Sequence, residues 1–552
     1  MNTIKNKISG IMVLLVILMI SCQNLEEMNI NPNGVDPASA HPNLLLSTLV
    51  TATGQNYISL GFGDIAGVMQ HTQYDGWSGG HNDYQWDNQD WSGYYGILRN
   101  TEEMLKKSKD MNLDFQTAVA LIFKAYNFGL VADLWGDAPY SKALLGEQGG
   151  SNLKPVFDSQ KDIYLGILAS LDTANTLLSK NQSEYKDINQ TQDVLYHGDV
   201  RQWQKFANSL ALRYYMRISA KEPAIAREGV EKIAAHPDQY PLILDAADDA
   251  CFAYIGNNNG DSWPSNTKFS ANKSNYTRIK MCSILVEKLQ ALNDPRLAIW
   301  ANKVEIPLVI DPTKPTGFDE IIDGKRVVNQ DTADQYYIKT GYHLDTDPEY
   351  VGYPPSWSDF AQFYNLNPPK EQGEPNPHAS QLNDIYQEAS GPLLKARMLS
   401  AAEVNFTLSE AALSGWLVGG TTKSYYEDGV NASLVAWGLS NSYESYIANT
   451  DVAFNETLER IMEQKWIASW TAAAEAWFDY RRTGLPDLIA GPIAKRTVLP
   501  VRFFYGENEL LYNPDNTNNA IDNLEETTYT ASDGKNSNWS RAWLLQGTDK
   551  PW

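Results

Sequence analysis

The sequence is poor in the residues that staple a fold, ligate a metal or bind phosphate. Its 552 residues include three cysteines. With Cys22 set aside for the moment, Cys251 and Cys282 are no disulfide scaffold for a chain of this length, and the spacing fits one bond or two free buried thiols equally well. The seven histidines fit no His-Glu-x-x-His pattern, and neither a P-loop nor a complete Gly-x-Gly-x-x-Gly occurs. No cofactor and no metal are therefore expected. Positive charge is scarce: 44 Lys and Arg stand against 67 Asp and Glu, a net charge of −23. That balance gives no basic footprint for nucleic acid, and it disfavours a polyanionic ligand held by overall charge alone. Long apolar runs are also missing. The run over residues 11–20 spans about ten residues where a membrane helix needs about twenty.

That short run has a meaning of its own. Preceded by Lys5 and Lys7, it reads as the apolar centre of a signal peptide over residues 1–21. Ser21-Cys22 then reads as the end of a lipobox, with Met19 where leucine is commoner, so Cys22 is the expected lipidation site. Residues 22–40 follow as a lipidated tether and N-terminal loop. Asn29, Asn31, Asn33 and Gly34 have the spacing of a calcium loop, but the first aspartate is missing and Ala40 stands where the bidentate glutamate belongs. Residues 41–552, in a chain that is 43% hydrophobic and 20% charged, are ample for a large core.

Helical periodicity dominates that body. In residues 455–488, Leu458, Ile461, Met462, Ile467, Trp470, Ala474 and Trp477 form a broad apolar stripe. The stretch predicts a core helix capped by Asn455, or two helices meeting near residues 472–474. Arg481 and Arg482 suit the macrodipole of its last turn, and Gly484 and Pro486 stop it. Ala118, Leu121, Ile122, Ala125, Phe128, Gly129 and Ala132 predict a helix ending near Trp135-Gly136; residues 163–178 and 206–218 predict two more. The fold class is all-α, mostly helical.

Two stretches break the pattern. Residues 71–95 are glycine-rich and polar yet hold Trp77, Tyr84, Trp86, Trp91, Tyr94 and Tyr95. Trp91, Tyr94 and Tyr95, just before an apolar helical stretch, belong with the core. Trp77, Tyr84 and Trp86, beside Asp83, Asn88 and Asn82, either pack under the loop or offer the flat faces and polar groups that a sugar needs. Burying about 100 Å² of ring contributes on the order of 2 to 3 kcal/mol. The second stretch, about residues 251–392, is rich in Pro, Gly, Asn and Asp and predicts irregular surface structure. Trp263, Tyr353 and Trp357, with Tyr276 and Tyr342, form its aromatic set. The expected ligand-binding residues are thus Trp77, Asp83, Tyr84, Trp86, Asn88, Trp263, Tyr353 and Trp357. Gly76 to Gly80 satisfies Gly-x-Ser-x-Gly, but no strand-to-helix elbow surrounds Ser78, so no catalytic residue is expected.

Four blocks carry a family resemblance: AYNFGLVADLWGDAPYS (125–141), VLYHGDVRQWQKFANSLALRYYMRIS (194–219), QKW with EAWFDYRRTGLP (464–486) and VRFFYGENELLYNPDN (501–516). In this order they resemble the SusD/RagB family of surface lipoproteins. The resemblance implies a single SusD-like domain over 41–552, with tetratricopeptide-like helix pairs as scaffold and a loop-rich ligand region. It implies an outer-membrane, lipid-anchored protein facing the cell exterior. Such a protein binds an oligosaccharide without turnover and delivers it to a SusC-like TonB-dependent transporter. The membrane is met only through the lipid, and no nucleic acid is bound. Peptide binding within the same family, and a surface glycoside hydrolase, are the alternatives.

Overall fold

The computed structural model describes residues 40–76, 79–357, 364–367, 374–530, 532–550 and 552. Its scaffold is a run of helices: α1 (Asn43–Gly61), α2 (Ser92–Asp110), α3 (Asp114–Trp135), α4 (Gln160–Leu177) and α5 (Val200–Arg217). Helix α3 is apolar on every side, which a helix tolerates only when neighbours enclose it; all of it but Asp114 and Lys124 is buried. It is long and apolar enough to cross a membrane, but the protein's own core surrounds it. Gly129 lets α3 and α5 approach, because a Cβ there would lie 2.0 Å from the Tyr214 hydroxyl. The helix starts follow local chemistry. Ser159 accepts the Asp162 amide at 3.1 Å, and Asp199 accepts those of Arg201 and Gln202 at 2.9 and 3.1 Å. Gly136, at φ +100°, ends α3 where the periodicity predicts.

Among the described residues, three small sheets are set between the helices. Strand β1 (Thr72–Tyr74) pairs antiparallel with β3 (Ile279–Met281), and β2 (Ala250–Ala253) pairs with β7 (Lys395–Leu399). Strand β6 (Lys325–Val328) runs parallel to β4 (Leu308–Ile310) and antiparallel to β5 (Asp319–Ile322), and α6 (Gln330–Thr340) follows. The 251–392 stretch is therefore less irregular than its composition implies, since short strands and helices hold it. Cys251 and Cys282 are both free.

The C-terminal half supplies a second helical layer: α7 (Ala401–Leu413), α8 (Thr422–Ala436), α9 (Leu458–Ala468) and α10 (Ala473–Thr483). The 455–488 stretch is thus two helices. The break falls at residues 469–472, where Thr471 takes φ +71°, and the cap is Thr457, whose hydroxyl accepts the Arg460 amide; Asn455 instead accepts the Thr457 hydroxyl. Arg481 and Arg482 are structural. Arg481 donates to the carbonyls of Asp133 and Val501 at 2.7 Å each, and Arg482 forks onto Glu410 and reaches Asp479 at 2.9 Å. Arg217, also buried, joins Asp133 at 3.2 Å and Glu475 at 2.5 Å. Buried charges persist where each has such partners.

Candidate functional site

The glycine-rich stretch and the second aromatic stretch meet, although some 280 residues separate them. After β1, the Asp75 amide donates to the Arg278 carbonyl at 2.7 Å, which extends the β1–β3 pairing by one residue. A helical turn, Gly80–Asp83, then brings Asn82 back. Its side chain accepts the Tyr74 amide at 2.9 Å, donates to the Tyr74 carbonyl at 2.8 Å and donates to the Trp357 carbonyl at 2.6 Å. Gln73 accepts the Ser356 amide at 2.9 Å, and the Tyr353 hydroxyl donates to Asp75 at 2.7 Å. One amide side chain and two further hydrogen bonds thus lock the stretch carrying Tyr353 and Trp357 onto residues 72–76 and 79–83.

The rim of this junction is half-exposed and polar, with Tyr74, Asp75, Gly76, Asp64 and Arg278 at its surface. The Tyr74 ring stacks on His81 at 3.5 Å between centroids and 8° between planes, and the Arg278 guanidinium lies over Tyr74 at 4.8 Å. His81 is fully buried; its Nε2 bonds the Thr72 hydroxyl at 3.1 Å and its Nδ1 faces an Asp64 oxygen at 4.0 Å. Burial, with help from Arg278, pulls the His81 pKa down to about 3, so the imidazole is neutral. Burial and Asp87 raise that of Asp64, which keeps it nearer to protonation than an ordinary carboxylate. Carboxyl, guanidinium and ring edge on one rim can hydrogen-bond hydroxyls and cover a small apolar face. Among the described residues no cluster of His, Cys, Asp or Glu has the arrangement of a metal site.

The structure redistributes the expected ligand residues. Trp77 lies outside the described residues, as does Cys22. Trp86 is 1% exposed, edge-on to Trp477 at 5.2 Å and to Phe503 at 4.9 Å. Tyr84 is buried beside Gln73. Trp263 is buried among Phe62, Tyr254 and Tyr386, with its indole N–H on Ser265 at 3.0 Å. Tyr353 and Trp357 are buried too, packed with Tyr364, so they form the wall under the rim. The expectation that Tyr84, Trp86, Trp263, Tyr353 and Trp357 display open ring faces is therefore corrected. Each found partners far away in sequence, which period and composition cannot reveal. Asn88 is exposed but accepts the Glu507 amide at 3.1 Å and pins a C-terminal turn. Asp83 accepts the Gln85 amide at 3.0 Å, and its carbonyl accepts the Lys495 amide. Tyr74, Asp75, His81 and Arg278 were not singled out from sequence. Tyr74 and Asp75 directly precede Gly76-Trp77, and that adjacency was the available signal.

The chain matches the SusD-like family model described as "starch-binding associating with outer membrane" over residues 36–315 and 327–506. No curated protein matches it. Among solved structures it is similar to a chitin-binding protein, at 24% identity and a TM-score of 0.68, covering 92% of this chain and 99% of that one. A SusD homologue from Bacteroides uniformis gives 23% identity and a TM-score of 0.68, with coverage of 91% and 99%. A SusD homologue from Bacteroides fragilis gives 21% and 0.65, with coverage of 92% and 100%. With helices α1 to α10 and the loop junction all within the matched residues, this mostly helical chain belongs to the SusD-like family.

Proposed function

We propose that this protein binds an oligosaccharide at the cell surface without cleaving it and delivers it to a SusC-like TonB-dependent transporter. In this reading Cys22 carries the lipid that holds it at the outer membrane. The observation that carries the reading is the junction just described, a half-exposed rim of Tyr74, Asp75 and Arg278 braced by the distant loop that carries Tyr353 and Trp357. The family description and the chitin-binding neighbour both favour a glycan ligand. Trp77, next to Asp75 and Gly76, remains the proposed ring for the sugar face; Asp83 and Asn88 act on loop geometry.

Calorimetry with maltooligosaccharides and with β-1,4-linked N-acetylglucosamine oligomers, followed by chromatography of the recovered sugar, tests this. Binding with the input lengths unchanged is expected. Shorter products would make the protein a hydrolase, and silence toward both series and toward a wider glycan panel would contradict the glycan reading. Copurification from detergent-solubilised membranes is expected to recover a TonB-dependent barrel.

A further inference from the structure

The family match is interrupted between residues 315 and 327, and the gap falls on β5 and its turn into β6. This chain departs from its family pattern there, in the sheet that carries α6. Sheet and helix close over a small core of their own, Leu308, Val328, Ala333, Tyr336 and Leu344. Tyr342 belongs both to that core and to the cluster around Trp357 and Tyr353, and meets Trp357 edge-on at 5.0 Å and 77°. The Asn365 amide donates to the Tyr336 hydroxyl at 3.0 Å. The unit is therefore fastened to the wall under the rim.

On its outer side Gly341, at φ +77°, ends α6 with its amide on the Tyr337 carbonyl at 2.8 Å and turns the chain back. With Tyr342 and Leu344 turned inward, His343 stands outside and stacks on Tyr337 at 4.3 Å and 11°. Tyr337 is 45% exposed, and the adjacent Ile338, at 81%, is the most exposed large apolar side chain among the described residues. An otherwise polar helix thus spends surface positions on a held ring pair and an isoleucine. We propose that Tyr337 and His343 form an outer subsite for the same glycan that binds at the Tyr74–Asp75 rim, reached by longer chains. This rests on the glycan reading above. A ring pair held by a helix cap and already stacked is pre-oriented for the apolar face of a neutral pyranose, so little side-chain freedom is lost on contact. The net charge of −23 argues for a neutral polymer. A protein partner fits less well, because a stable interface needs roughly 800 Å² a side and this patch is a few side chains.

The test uses the full chain in detergent and native gels containing soluble starch, glycol chitin, xylan or mannan, then calorimetry with oligomers of the retained polymer. Affinity of the natural protein should rise with oligomer length. Tyr337→Ala and His343→Ala should bind the shortest oligomer within about twofold of the natural protein and lose roughly tenfold on the longest, whereas Tyr337→Phe keeps the length dependence. An equal loss at every length, or none, with unchanged melting temperature overturns the subsite and leaves the glycan reading standing. If no polymer in the panel retains the natural protein, the glycan reading fails and the subsite with it. Should Tyr337→Ala fold poorly, His343→Ala, an exposed position, decides alone.

Discussion

The two ends of the glycine-rich stretch meet opposite surroundings. At residues 86–95 the rings are sealed: Trp86 by Trp477 and Phe503, and Trp91 by Trp135, Phe157 and Tyr505, with the Trp91 indole N–H on Glu509 at 2.7 Å. At residues 72–76 and 79–83 the chain is bound through backbone and amide hydrogen bonds, and Tyr74 and Asp75 stay half-exposed. Composition is similar along the whole stretch. The difference comes from what packs on it, helices α3 and α10 with the segment over residues 503–505 at one end and a loop at the other. An aromatic in a loop is available to ligand only where no distant element covers it.

The packed end should be the easier to break. Trp86→Ala opens a cavity against Trp477 and Phe503, and chemical denaturation should show a loss of about 3 to 5 kcal/mol. Arg482→Met, on the helix that packs against it, leaves Glu410 and Asp479 without their guanidinium. A loss of similar size, about 3 to 5 kcal/mol, is expected. The buried part should also set the pH dependence. Burial, only partly offset by the Ala401 amide, raises the Asp249 pKa to about 7. The folded state therefore holds this proton more tightly than the unfolded chain, so its contribution to stability falls as pH rises from about 4 to about 7 and is level above. Relative to the natural protein, Asp249→Asn should flatten the stability profile in that window by at most about 1.4 kcal/mol per pH unit. At the rim, Tyr353→Phe removes the bond to Asp75; a stability change of only about 1 kcal/mol is expected, with weaker glycan binding as Asp75 loses its brace.

How much of this was legible in the sequence depends on whether a signal is local. Helix α3, its stop at Gly136 and the stripe through Trp470 and Trp477 repeat every three or four residues, so periodicity finds them. The 455–488 stretch allowed one helix or two meeting near residues 472–474, and only the left-handed Thr471, which no residue type announces, decides for two with the break at 469–472. The candidate site was half legible. Composition marked both loops, and the structure does join Tyr353 and Trp357 to the first of them. Which rings are covered depends on contacts between residues hundreds of positions apart, as with Trp86 and Phe503. Asn82 was legible as a polar group beside the rings, though not as the brace it is, and Tyr74 and Arg278 matter through geometry alone.

The most direct test measures affinity and melting temperature together on Trp77→Ala and Trp86→Ala, using the oligosaccharide that the natural protein binds best. Trp77→Ala should weaken binding by about 1 to 3 kcal/mol with the melting temperature nearly unchanged, and Trp86→Ala should lower the melting temperature by many degrees. If Trp77→Ala leaves affinity intact while destabilising the fold, or if Trp86→Ala weakens binding in a protein as stable as the natural one, the division between a packed end and a binding end is wrong.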